Sequence, residues 1–145
     1  MGISMKRVHL TIAAVLIVAA GTASAQTVRR AGEWQVTVTP SSGRPNPPKN
    51  FCYPEGSAAD FTKRMGNCAK HDIHTVGNQH TVDAECSVGT RQSKVHMVIT
   101  SHGSNAYHAE MEMSVSPPMP GLSSTRMSED ARWLGPCTPG EKPAP

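Results

Sequence analysis

Alternation of apolar and polar residues is the dominant pattern of the chain from residue 33 onward, and it predicts half-buried β-strands. Trp34, Val36 and Val38 share one face, with Glu33, Gln35, Thr37 and Thr39 on the other. Pro40 to Asn50 holds four prolines and Gly43, which cannot continue a ladder and predict an exposed loop before a short strand near Asn50–Tyr53. The pattern then changes. Pro54 suits a first helical turn, and Ser57-Ala58-Ala59-Asp60 has capping-box spacing ahead of Phe61 and Met65, so one helix is expected over Pro54–Arg64, closed by Gly66. Alternation resumes in Lys70–Val76 and Gln79–Val88, which flank Gly77-Asn78, a pair suited to a tight hairpin. In the second of these strands Val82, Ala84, Cys86 and Val88 share a face.

Two further strands, Ser93–Ser101 and Asn105–Val115, are joined by His102-Gly103-Ser104. Val95, Met97 and Ile99 then face Tyr107, Ala109, Met111 and Met113 on the inner side. Pairing Ser101 with Asn105 would set Lys94 opposite Glu112 and His96 opposite Glu110, a favourable placement of charges. Pro117, Pro118, Pro120 and Gly121 break the pattern, and Leu122–Leu134 is the last strand. About seven antiparallel strands and one short helix follow, a mainly β chain. One helix cannot cover so much apolar face, so the sheet is expected to curl into an open barrel or a strongly twisted sheet.

The first 25 residues have a different character. Lys6 and Arg7 precede an apolar run, Leu10–Ala20, and Ala23-Ser24-Ala25 is a small-x-small cleavage site before Gln26. This is the pattern of a secretory signal peptide, and it predicts a single β domain over residues 26–145 with a Pro-rich tail, exported to the periplasm. No stretch reaches the roughly 20 apolar residues of a membrane-spanning helix. Export puts Cys52, Cys68, Cys86 and Cys137 in an oxidising compartment, where an even count predicts two disulfides. Three pairings are open. Cys52–Cys68 with Cys86–Cys137 is the expected one, since the first would clamp the helix and the second would pin the last strand. The formal charge of +3 includes Lys6 and Arg7, and the remaining Lys and Arg are scattered, without the basic stripe of a nucleic-acid footprint.

Arg30-Ala31-Gly32-Glu33-Trp34-Gln35-Val36-Thr37, Cys52-Tyr53-Pro54-Glu55, Asn67-Cys68, a strand ending at Cys86, and Arg132-Trp133-Leu134-Gly135-Pro136-Cys137 together resemble the exported bacterial proteins grouped as domain of unknown function 3617. The resemblance covers nearly all of residues 26–145. It implies a periplasmic protein with no assigned chemistry, and it supplies no catalytic residues.

The chemistry-bearing residues narrow the possibilities further. There is no Cys-x-x-Cys, no Gly-x-Ser-x-Gly, no His-Glu-x-x-His and no Gly-rich phosphate loop, so no catalytic residue and no cofactor is expected. Histidines together with methionines in an exported protein suggest copper, because imidazole and thioether both suit that metal. Alternation separates them: Met97, Met111 and Met113 fall inward, His96 and His108 outward, and His71 and His74, three apart on a strand, face opposite ways. The reading is a non-catalytic binding or interaction protein of the cell envelope, with an envelope partner or small ligand and no nucleic-acid partner. Two rivals stand beside it: a copper or zinc handler using His71, His74 and His96 or His108, and a carrier of a small apolar ligand using Trp34, Met97, Met111 and Trp133.

Overall fold

The computed structural model describes residues 27–63, 67–120 and 122–140. The expected leader and the helix-closing residues Met65 and Gly66 lie outside the described residues. Among the described residues nine strands and one helix run in the order β1 (Thr27–Arg29), β2 (Gly32–Pro40), β3 (Lys49–Tyr53), β4 (Gly56–Ser57), α1 (Ala58–Lys63), β5 (Asn67–Val76), β6 (Gln79–Val88), β7 (Arg91–His102), β8 (Ala106–Met119) and β9 (Leu122–Gly135). Seven of the strands form one antiparallel sheet in the order β3-β2-β9-β8-β7-β6-β5, and β1 pairs with β4 as a separate ribbon.

The sheet does not close into a barrel: β3 and β5 are its two edges. The apolar face is covered instead by a cap of the β1–β4 ribbon and α1, which packs Val28, Ala58 and Phe61 onto Trp34, Val36, Val82, Ile99 and Tyr107. Strands of two and three residues have no readable period, so this ribbon leaves no trace in the alternation. Its presence also shortens the helix, because Gly56 and Ser57, expected inside it, pair with Thr27–Arg29. The remaining turn and a half is capped as the Ser57-x-x-Asp60 spacing predicts. The Ser57 backbone N–H donates to Asp60 Oδ2 at 2.7 Å, its hydroxyl to the same oxygen at 2.9 Å, and Lys63 Nζ to Oδ1 at 2.7 Å. The Lys63 ammonium and these Ser57 donors hold the Asp60 carboxyl down to about 2.

Two further expectations are corrected. In the β7–β8 hairpin Ser101 pairs with Tyr107 and His102 with Ala106, not Ser101 with Asn105. Asn105 is drawn out of the ladder: its carbonyl accepts the Trp133 N–H at 2.7 Å and its side chain accepts from Arg30 at 3.0 Å. Lys94 therefore lies opposite Ser114 and His96 opposite Glu112. Lys94 is paired with Glu85, across β6, and Glu112 with Arg126, across β9. A slip of two residues preserves side-chain faces, so the inward set is the predicted one.

The disulfides join Cys68 to Cys86 and Cys52 to Cys137, not Cys52 to Cys68 and Cys86 to Cys137. β5 begins at Asn67, earlier than the alternation suggests, and sets Cys68 directly opposite Cys86. At the far edge Glu33 of β2 pairs with Cys52 on one side and Gly135 on the other, so the chain two residues past Gly135 comes back onto β3.

The Gly32-Glu33-Trp34 segment is locked by close approach. Gly32 sits at φ 141°, and a Cβ there would lie 2.2 Å from Trp133 Nε1. That approach lets the Trp133 indole donate to the Ala31 carbonyl at 3.2 Å, while Trp34 Nε1 donates to the Arg30 carbonyl at 3.0 Å. Trp34 and Trp133 are themselves cross-strand partners.

Candidate functional site

Along β8 the apolar face changes from covered to open. Tyr107 and Ala109 are 2 % and 4 % exposed, whereas Met111, Met113 and Val115 are only partly buried. The same gradient runs down β2 from Trp34 and Val36 to Val38, and down β9 from Ala131 to Met127. The cap thus lies over the Val36–Ala131–Tyr107 level and leaves a shelf two to four residues farther along each strand. Register brings Met97, Met111 and Met127 directly opposite one another across β7, β8 and β9, a row of three thioethers. Unbranched thioether side chains adapt to varied apolar shapes more readily than branched aliphatic ones.

The covered end of this shelf is aromatic. Tyr107 lies 5.6 Å from Trp34 and meets Phe61 edge-on at 5.4 Å. Its hydroxyl donates to Glu129 Oε1. Glu129 stands on β9 between Ala109 and Val38, so a carboxyl group sits on the apolar face at the boundary of cap and shelf. A carboxyl on that face is costly to desolvate and needs donors, of which the tyrosine supplies one.

Of the residues expected to line a cavity, Trp34 and Met97 are buried in the core, Met111 stands on the shelf, and Trp133 lies at the far end beneath the Arg30 guanidinium, 3.9 Å from its ring. The structure brings the first three to one face but leaves only Met111 accessible there. Met127, Glu129 and the Tyr107 hydroxyl belong to the site and were missed. Period-2 parity carried through β9 places Met127 and Glu129 inward, Glu129 standing out as the one charged residue between Met127 and the apolar Ala131 and Trp133.

The histidines are dispersed. His71 falls on the inward face of β5 and His74 on the outward face, both exposed. His96 and His108 lie on the polar face, each with Nδ1 2.7 Å from an aspartate, Asp83 and Asp130 respectively. The Asp130 hydrogen bond raises the His108 pKa, with Glu110 adding to it and partial burial opposing. His80, buried on the inward face beside Thr75 Oγ1 at 3.0 Å, has its pKa lowered by desolvation. Among the described residues no three His, Cys, Asp or Glu side chains come together as a metal ion requires. The polar face also carries two depressions of ≈ 410 Å³, one beside Thr39, His96, Glu110 and Arg126, the other beside Asp72, Asp83, Lys94 and Glu112. Their walls hold charges of both signs, largely paired with one another.

Residues 29–137 match the family model described as a protein of unknown function, DUF3617. The chain belongs to this family. The DUF3617 span includes both disulfides, α1, the methionine row and Glu129. Neither a curated protein nor a solved structure matches the chain. Among the described residues no helix is long and apolar enough to cross a membrane.

Proposed function

We propose that this chain is a non-catalytic binding protein of the periplasm, exported by residues 1–25, and that it takes a small amphiphilic ligand on the methionine shelf. The observation that carries this reading is the loss of cover along β8, from Ala109 to Met111, Met113 and Val115, on a face that is otherwise core. A surface of this kind, apolar with one convergent polar group, is how small-molecule sites are commonly built. The ligand's apolar part rests on Met111, Met113 and Met127, and Glu129 accepts from a donor headgroup such as an amine or hydroxyl. Two disulfides in the fold are consistent with an oxidising compartment.

Displacement of an apolar naphthylamine fluorophore from the oxidised protein tests the reading. Dodecylamine is expected to displace it better than dodecanoate, and Met111→Glu to weaken fluorophore binding about tenfold or more by setting a second carboxyl on the apolar surface. Glu129→Gln should remove the preference for the amine while leaving the fluorophore bound. Absence of saturable binding, or indifference to both Met111→Glu and Met127→Glu, would overturn the shelf as the binding surface.

A further inference from the structure

The two edges of the sheet differ in kind. β3 is five residues long and follows Pro45, Pro47 and Pro48, and its Cys52 is tied to Cys137. Short length and flanking prolines are the usual guards against edge-to-edge pairing. β5 is ten residues long with no proline, and from Lys70 to Val76 every side chain is exposed. Ile73 is 36 % and Val76 79 % exposed, two of the large apolar residues the fold leaves to solvent. The Cys68–Cys86 bridge and the bulge between Cys68 and Lys70 fix the start of this edge against β6, leaving the rest regular.

We propose that β5 is a homodimerisation edge: a second copy of this chain pairs its β5 antiparallel to the first, joining the two sheets, with Ile73 opposite Ile73 at the two-fold axis. Three constraints select that register. An antiparallel pair related by a two-fold has its axis perpendicular to the sheet, so inward residues meet inward residues and the register can change only in steps that keep the faces. The turn at Gly77-Asn78 closes with Val76 opposite Gln79, a hydrogen-bonded pair in a two-residue hairpin, so hydrogen-bonded pairs with β6 recur at His74 and Asp72. The N–H and C=O groups of His71, Ile73 and Thr75 therefore point to the free edge, and an axis at Ile73 joins them as His71 to Thr75 and Ile73 to Ile73.

Charge decides among the registers left. On the outward face Asp72 has Asp83 as its partner in β6, a like charge, and Asp83 is already engaged by His96. With the axis at Ile73, each Asp72 lies opposite the other copy's His74, whose ring N–H can donate to the carboxylate. Moving the axis to Asp72 would oppose two aspartates, moving it to His74 would oppose two imidazoles, and moving it to His71, although it sets Lys70 opposite Asp72, would lay Ile73 and His74 against the irregular Cys68–Lys70 segment and not against the regular part of the edge. Opposite-charge and donor–acceptor cross-strand pairs favour their register, and like charges disfavour theirs.

Native mass spectrometry and sedimentation of the exported protein test this. The expected wild type is a dimer at micromolar concentration. Ile73→Pro removes the side chain at the axis and an N–H that points to the free edge, a place where strands tolerate proline, and should give a monomer with the same circular dichroism and the Tm that the wild type shows when diluted until it is a monomer. Asp72→Lys and His74→Asp should each weaken the dimer about tenfold, since the two-fold doubles each lost pair. The exchange Asp72→His with His74→Asp restores the complementary pairs and should return the dimer to its wild-type affinity. A monomeric wild type, a mass of one copy plus a foreign peptide, or failure of the exchange to restore a dimer weakened by the single changes would each overturn the proposal.

Discussion

Two histidines titrate in opposite senses because their surroundings differ at the scale of single atoms. His80 is buried beside one hydroxyl, so its folded pKa lies below the ordinary 6.5, and the folded state gives up a proton that the unfolded chain would hold. Its contribution to stability is therefore intact above that value and declines as pH falls below it. His108 is bonded to Asp130 and near Glu110, so its folded pKa lies above 6.5. Its contribution is fully present below 6.5 and is lost as pH rises through the folded pKa. Comparing Tm at pH 8 and pH 5 separates the two: His80→Gln should lose less on acidification than the wild type, and His108→Gln should lose more. Equal slopes in all three proteins would show that neither environment acts as described. The faces of both residues were legible, His108 among outward polar positions and His80 in line with Val82 and Ala84. Their partners were not, because Thr75 and Asp130 come into reach only through strand register.

At the level of elements, local periodicity reads well and pairing reads poorly. The strands with clean alternation, β2, β6, β7 and β8, could be seen in the sequence together with their buried faces, since side-chain direction alternates whatever the neighbour. Register depends on where the turn sits, and a three-residue loop at Gly103-Ser104-Asn105, one position farther along than His102-Gly103-Ser104, moves the partner of every β7 residue by two positions along β8. The disulfides depend on register in turn. Reading β5 from Lys70 left Cys68 outside the sheet, where it had no reason to meet Cys86. With Cys68 in β5, the bridge closes a separation of 18 residues and joins adjacent strands. Loop-closure estimates put its removal at about 3 kcal/mol. Cys68→Ser with Cys86→Ser should lower stability by that amount and raise amide exchange along β5 while β2 and β9 stay protected. Exchange that rises equally in β9 would place the bridge in the wrong part of the fold.

Across the whole molecule, the sheet is antiparallel with seven strands and stays open, with β3 and β5 as its edges. A deficit of cover pointed to a sheet that shields its own apolar face, but the β1–β4 ribbon supplies part of that cover and methionine side chains tolerate part of it remaining open. The candidate shelf is the residue of that compromise: Met111 was legible as inward, whereas Glu129 and Met127 required β9 to be carried through with the same parity. The DUF3617 likeness was visible from the cysteine order and the two tryptophans, although those same cysteines were paired wrongly. Family order and spatial pairing are separate kinds of information.

The bridge from Cys52 to Cys137 also has a mechanical meaning. It joins β3 to the segment just past β9 across a separation of 85 residues, and β4 to β9 all lie inside that span. Tension applied at Thr27 and at Gly140 would run along β1 to β3, cross the sulfurs and leave through the tail, so the central strands would carry none of it. A single-molecule pulling experiment on the oxidised protein should end at a short extension. Reducing both bridges, since Cys68–Cys86 lies within the 85-residue span, should lengthen the fully stretched chain by roughly 300 Å, the reach of that many residues at about 3.5 Å each. An oxidised molecule that already stretches to the full length would show that these two cysteines do not bracket the sheet.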